Sequence, residues 1–166
     1  LRGAALLHDI TKELTAEEHA AIMRAHGVEP TRYDLMSPKT LHARTAAMLI
    51  PDKYPHFADP RIISAVRWHT TGRAGMSVYD KIIYFADYID DTRTYDDCVK
   101  LRGLFFDADP DGMTPEERMR HFDRLIVMSF DMTLGELVEK GGLISADTID
   151  ARNYLLCALA GAGNDI

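Results

Sequence analysis

One helix-starting signature recurs along this chain, and it constrains the fold more than any other feature. Thr15-Ala16-Glu17-Glu18 and Thr114-Pro115-Glu116-Glu117 are capping boxes. In each, the Thr hydroxyl takes the N–H three residues on, and the Glu reaches back to the Thr N–H. Asp59-Pro60 is an N-cap followed by Pro at the first helical position, and Ser145 caps a further run. Behind these starts the apolar residues return every three or four positions, the period of a helix buried on one face. The pattern predicts helices over residues 1–12, 16–25, 38–49, 61–69, 78–89, 95–106, 115–140 and 146–160. Gly27, Gly72 and Gly141 serve as stops. Residues 29–38 and 51–55 read as turns. Without strand alternation, repeat, linker or low-complexity segment, the expectation is one all-α bundle over residues 1–166.

Composition limits what such a bundle can do. The 166 residues are 46% hydrophobic and 27% charged, enough for a real core in a globular protein. No apolar run approaches the roughly 20 residues of a membrane span, and no secretory signal pattern is visible. Cys98 and Cys157 match no metal or redox spacing and read as reduced packing residues of a cytoplasmic protein. A net charge of −7 argues against a general nucleic-acid surface, so an anionic ligand must meet a local cationic site.

Several polar residues interrupt the apolar helical patterns. His8-Asp9 follows Leu6-Leu7, and Lys12 lies three positions on; His42 sits one turn before Ala46; His69 closes the stripe Ile62, Ala65, Val66. Asp87 stands beside an inward face expected to contain Ile82, Phe85, Ala86 and Ile89. His19 and His26 read as surface residues, and Trp68 as core. Asp107, Asp109, Asp111 and Gly112 hint at a calcium loop but lack the terminal Glu it requires.

Read in order, Ala5-Leu6-Leu7-His8-Asp9-Ile10-Thr11-Lys12, His69-Thr70-Thr71-Gly72, Lys81-Ile82-Ile83-Tyr84-Phe85-Ala86-Asp87, Arg93-Thr94-Tyr95 and Thr148-Ile149-Asp150-Ala151-Arg152-Asn153 resemble the HD-domain metal phosphohydrolase superfamily. Within it they resemble the YqeK-type symmetrical diadenosine tetraphosphatases. That resemblance implies a single HD-domain bundle that hydrolyses diadenosine tetraphosphate to two ADP, with metal-bound hydroxide attacking an internal phosphate. It implies a divalent transition metal, iron with manganese as the alternative, held by His8, Asp9 and Asp87. His42, His69 and Arg93 would contact substrate phosphates, a second metal at the two histidines being the minority option. Asp9 and Lys12 would serve catalysis, and Arg152 and Asn153 match a C-terminal motif that caps structure or touches substrate. The partner implied is a small dinucleoside polyphosphate or nucleotide, with neither nucleic acid nor membrane, and a homodimer is left open.

Two features depart from that family. Its members carry an upstream helix with a further His ligand, which these residues do not contain; the chain would be a fragment, have a misplaced start, or hold a site one ligand short. Asp90-Asp91 stands where Glu-Pro is usual, which puts the backbone leading to Arg93 in question. Two rival functions remain: another HD phosphohydrolase such as a nucleotidase, and a nucleotide-binding module that has lost catalysis.

Overall fold

The computed structural model describes residues 1–161. Among these the protein is all-α, with no strand, and they form two compact units: Leu1–Gly72 with Met76–Tyr84, and Arg73–Gly75 with Phe85 onward.

In the first unit, α1 (Arg2–Leu7) is shorter than its apolar stripe suggests. His8 follows it in the C-cap position, with its ring Nδ1–H donating to the Ala5 carbonyl at 2.8 Å. The Asp9 N–H would claim that carbonyl if the helix continued. Residues 8–13 follow as successive turns, with Lys12 N–H on the Asp9 carbonyl at 3.0 Å and Leu14 N–H on the Thr11 carbonyl at 3.1 Å. The first capping box opens α2 (Ala16–Ala25) as expected, both of its hydrogen bonds being present. A box unseen in the sequence opens α3 (Arg32–Met36) inside the expected turn: Thr31 pairs with Asp34, an Asp doing the work of the usual Glu. From Pro38, α4 (Pro38–Lys53) runs one turn beyond the expected stop. Pro51 falls in its last turn, where a missing N–H removes one bond rather than breaking a helix interior. After a 3-10 turn at Pro55–Phe57, Asp59 caps α5 (Pro60–Trp68) by accepting from the Arg61 N–H.

These helices pack α4 against α2 and α5, and α1 against α5. The buried cluster is Ala4, Leu7, Ala46, Ala47, Ile50, Ala65, Val66 and Ile83. So many alanines mean that the helices approach closely; a Cβ on Gly3 would come within 2.7 Å of the Phe57 ring. His19 is buried at 1% exposure, not on the surface. Trp68 is half-buried rather than core, with the Arg67 guanidinium 4.0 Å over its ring.

Ser77 and Asp80 exchange capping bonds at the start of α6 (Val78–Tyr88). Its inward face is rotated from expectation: Ile83, Tyr84, Phe85 and Ile89 are buried, Ile82 is half-buried, and Ala86 is exposed. The second unit holds α7 (Asp96–Phe106), α8 (Pro115–Glu139) and α9 (Ala146–Gly161). The Thr114 capping box forms as expected, and Gly141, at φ 63°, ends α8 in the left-handed region. Phe85, Phe105 and Phe122 make an aromatic cluster, and Leu101, Ile126, Phe130 and Leu155 are buried in the same unit. On α9, Ala151 and Leu155 are buried while Ile149 and Leu156 are exposed. Cys98 is buried, but Cys157 is exposed and packs nothing away. Among the described residues no helix is long and apolar enough to cross a membrane.

Candidate metal centre

Three elements of the first unit bring their polar residues to one point. The turns after α1 carry His8, Asp9 and Lys12; the first turns of α4 carry His42; the residue that ends α5 is His69. Each imidazole is oriented the same way. Nδ1 of His8, His42 and His69 lies 2.8, 2.9 and 2.8 Å from the carbonyls of Ala5, Lys39 and Val66, each three residues earlier. A carbonyl only accepts, so Nδ1 bears a proton; Nε2 then presents a lone pair in the neutral ring and an N–H in the charged one. Histidine ligands of metal ions are commonly fixed in this manner.

The three Nε2 atoms surround the Asp9 carboxylate. His8 Nε2 is 3.5 Å from Oδ2, while His42 Nε2 and His69 Nε2 are 3.3 and 3.6 Å from Oδ1. His42 and His69 are themselves 3.0 Å apart through Nε2. Lys12 Nζ donates to Asp9 Oδ2 at 2.6 Å. The His69 ring, followed by Lys12 and His8, holds the Asp9 carboxyl well below the usual carboxylate range, so it is ionised throughout physiological pH. Burial, reinforced by the His69 ring, pushes His42 down to about 4. At neutral pH His42 is therefore an uncharged lone-pair donor, not the imidazolium that a phosphate contact calls for before substrate arrives.

Asp9 Oδ1 is buried and has no hydrogen-bond partner among the described residues. A charged oxygen left this way is costly unless something positive comes to it. One ligand atom each from His8, Asp9 and His69 lies within 4.8 Å of the others, a spacing that one cation can bridge. Mixed imidazole and carboxylate donors suit first-row transition metals better than calcium. The residues present therefore fit a divalent metal.

Asp87 and Arg93 belong to the second unit. There, Arg93 Nη2 donates to Asp87 Oδ2 at 2.7 Å. The loop between them is built by residues that replace the usual Glu-Pro. The Asp90 side chain accepts from the Thr92 N–H at 2.9 Å, and the Arg93 N–H returns to the Asp90 carbonyl at 2.9 Å. Arg102 was not legible in the sequence as part of this arrangement. Its guanidinium donates to the carbonyls of Ile89 and Arg93, at 2.8 Å each, and to that of Asp90. A cation over carbonyls that leave a helix C-terminus is also favoured by the helix dipole. Arg152 ties α9 to α8 through Asp131.

The chain is similar to known proteins in sequence and in fold. A family model for the HD domain matches residues 1–92. A Bacillus subtilis protein named symmetrical bis(5'-nucleosyl)-tetraphosphatase is 29% identical over 153 residues, covering 92% of this chain and 74% of that protein. A Staphylococcus aureus protein of the same name is 27% identical over 153 residues, covering 91% and 71%. The crystal structure of a predicted HD superfamily hydrolase involved in NAD metabolism, from Clostridium acetobutylicum, superposes with a TM-score of 0.78 at 34% identity, covering 93% of this chain and 75% of that one.

Proposed function

Because the chain belongs to the HD domain family and is a hydrolase of phosphoanhydrides, we propose that it cleaves diadenosine tetraphosphate symmetrically, giving two ADP. One observation carries this reading: ionised Asp9 ringed by the Nε2 atoms of His8, His42 and His69, with its buried Oδ1 otherwise unpartnered. A metal there is the remedy for an inert bond, since phosphoanhydride oxygens repel nucleophiles. When bound, a divalent ion lowers the pKa of water toward neutrality and neutralises phosphate oxygens.

In this proposal His8 and Asp9 would hold the ion, iron or manganese, and Asp87 would keep the ligand role that the family resemblance implies. His42 and His69 meet phosphate oxygens beside it. A neutral His42 takes up a proton as an anion approaches, and then donates a charge-assisted hydrogen bond. Lys12 keeps Asp9 oriented through its 2.6 Å ion pair and adds positive charge beside it, its side chain being 47% exposed. Arg93 supplies a planar fork for the phosphates farther from the scissile bond. The 3.0 Å approach of His42 to His69 favours a second reading of these two residues, as ligands of a second ion.

Product analysis tests the function. Protein loaded with Fe2+ or Mn2+ is incubated with diadenosine tetraphosphate and the nucleotides are separated by ion exchange. ADP alone is expected. ATP with AMP would mean asymmetric cleavage. Release of nucleoside and phosphate from a deoxynucleotide, with no action on the dinucleotide, would make the chain a nucleotidase. Affinity without turnover would make it a binding module.

A further inference from the structure

We infer that Thr11, backed by Thr45 and His19, is a positioning residue whose hydroxyl fixes the spacing between Asp9 and His42. The inference rests on the metal site proposed above. Asp9 lies on no regular helix. It sits between the end of α1 at Leu7 and the start of α2 at Ala16, in turns whose first bond, Ile10 N–H to the Leu7 carbonyl, is stretched to 3.5 Å. Turns of this kind hold a side chain less firmly than a helix does. Yet Asp9 Oδ1 must stay at 3.3 Å from His42 Nε2, on another element.

Thr11 supplies the link. It is 2% exposed, two residues after Asp9, and its hydroxyl donates to the backbone carbonyl of His42 itself at 2.8 Å. That carbonyl lies inside α4, where a helix already provides its donor, so the added bond serves the turn rather than the carbonyl. Behind Thr11 stands Thr45, 0% exposed, with Oγ1 3.1 Å from Thr11 Oγ1, and behind Thr45 stands His19, with Nδ1 2.8 Å from Thr45 Oγ1. Each hydroxyl has a single proton. Thr11 spends its own on His42, while the Thr45 hydroxyl has Thr11 Oγ1 and the Leu41 carbonyl within 3.1 Å and the His42 carbonyl at 3.4 Å. The result is a buried run of polar contacts from α2 through α4 to the turn that carries Asp9. All three side chains are polar where apolar ones would fill the space without desolvation cost, which marks a requirement for directional bonds.

The test compares Thr11→Val, which keeps the shape and loses the hydroxyl, with Thr11→Ser, which keeps the hydroxyl. Mn2+ affinity is measured by titration calorimetry, and kcat and KM at saturating metal. Thr11→Val should bind Mn2+ about tenfold more weakly, the lower range for loss of an outer-shell partner, and lose kcat with KM unchanged; Thr11→Ser should restore both. Should Thr11→Val not fold, Thr11→Ala removes the hydroxyl without pressing a methyl on the His42 carbonyl. A Val or Ala variant that binds Mn2+ as tightly as the unaltered chain, whatever its melting temperature, overturns the inference, as does a Ser variant that loses as much as Val. An unaltered chain that binds Mn2+ but ignores diadenosine tetraphosphate refutes the proposed substrate and leaves this comparison readable.

Discussion

His42 and His69 face each other Nε2 to Nε2 at 3.0 Å, and each has committed its Nδ1 proton to a carbonyl of its own helix. Two lone pairs thus converge in a buried place, with Asp9 Oδ1 as a third electron-rich atom 3.3 and 3.6 Å away. The three repel one another unless a positive charge lies among them. Neighbouring His8, which has its own Nδ1 on the Ala5 carbonyl, meets the His69 ring edge-on at 4.9 Å. The arrangement is a receptor for positive charge, and its predictions separate a metal ion from a proton.

Asp9 is the first residue to test. Asp9→Asn preserves shape and removes the charge; Asp9→Ala removes both. Each variant should purify without iron or manganese and without measurable hydrolysis, because no other carboxylate among the described residues of the first unit shares this cluster. Elemental analysis run beside an activity assay decides it. Normal metal content with full turnover in either variant would sink the assignment of Asp9.

His42 distinguishes a substrate contact from a ligand. If it meets phosphate, His42→Ala should keep its metal and lose about 2–4 kcal/mol of transition-state stabilisation, the range for one lost donor. If metal is lost in proportion to activity, His42 holds a second ion. His69→Ala follows the same logic with a stability cost added, since His69 is 1% exposed and its removal opens a cavity.

How far the sequence revealed this site follows from what each residue binds. His8, Asp9, His42 and His69 were legible because polar residues on apolar helical stripes require a reason, and a metal or anion provides one. The α2 and α8 starts were legible because Thr with Glu three residues on is a local device. The start of α3 escaped because its box uses Asp34, a weaker sign. The end of α1 at Leu7 escaped because Ile10 continues the apolar stripe beyond it. His19 stands one turn before fully buried Met23 on α2, and that register was the available signal for its burial. Arg102 left little signal: its hydrogen bonds go to backbone carbonyls, which carry no sequence signature, and its carboxylate partner Asp91 lies farther off at 3.4 Å.

Burial of His19 gives stability a pH dependence. Desolvation holds its folded-state pKa below the ordinary 6.5, so in acid the unfolded chain binds this proton before the folded one. Stability from this residue is complete above about pH 6.5 and falls as pH drops toward the folded value. Urea midpoints followed from neutral to mildly acidic pH should decline, and His19→Leu, though less stable at neutral pH through loss of the Thr45 bond, should decline less steeply. Equal slopes would show that His19 titrates in the folded chain as it does when unfolded.

Arg93 tests the substrate class. A tetraphosphate carries charge well beyond the scissile bond, and a chain of net charge −7 must neutralise it locally. Arg93 is half-buried, its Nη2 pairs with Asp87 at 2.7 Å, and its loop is clamped by Arg102. Arg93→Lys keeps a positive charge beside Asp87 but loses the planar fork. Metal content should therefore stay unchanged, while kcat/KM should fall more on diadenosine tetraphosphate than on a phosphodiester with an uncharged tail. Arg102→Ala frees the carbonyls of Ile89, Asp90 and Arg93 and should reproduce that selective loss in weaker form, with Arg102→Lys restoring part of it. Equal losses on both substrates would assign Arg93 to bracing the fold, and a fall in bound metal would assign it to holding Asp87 in place.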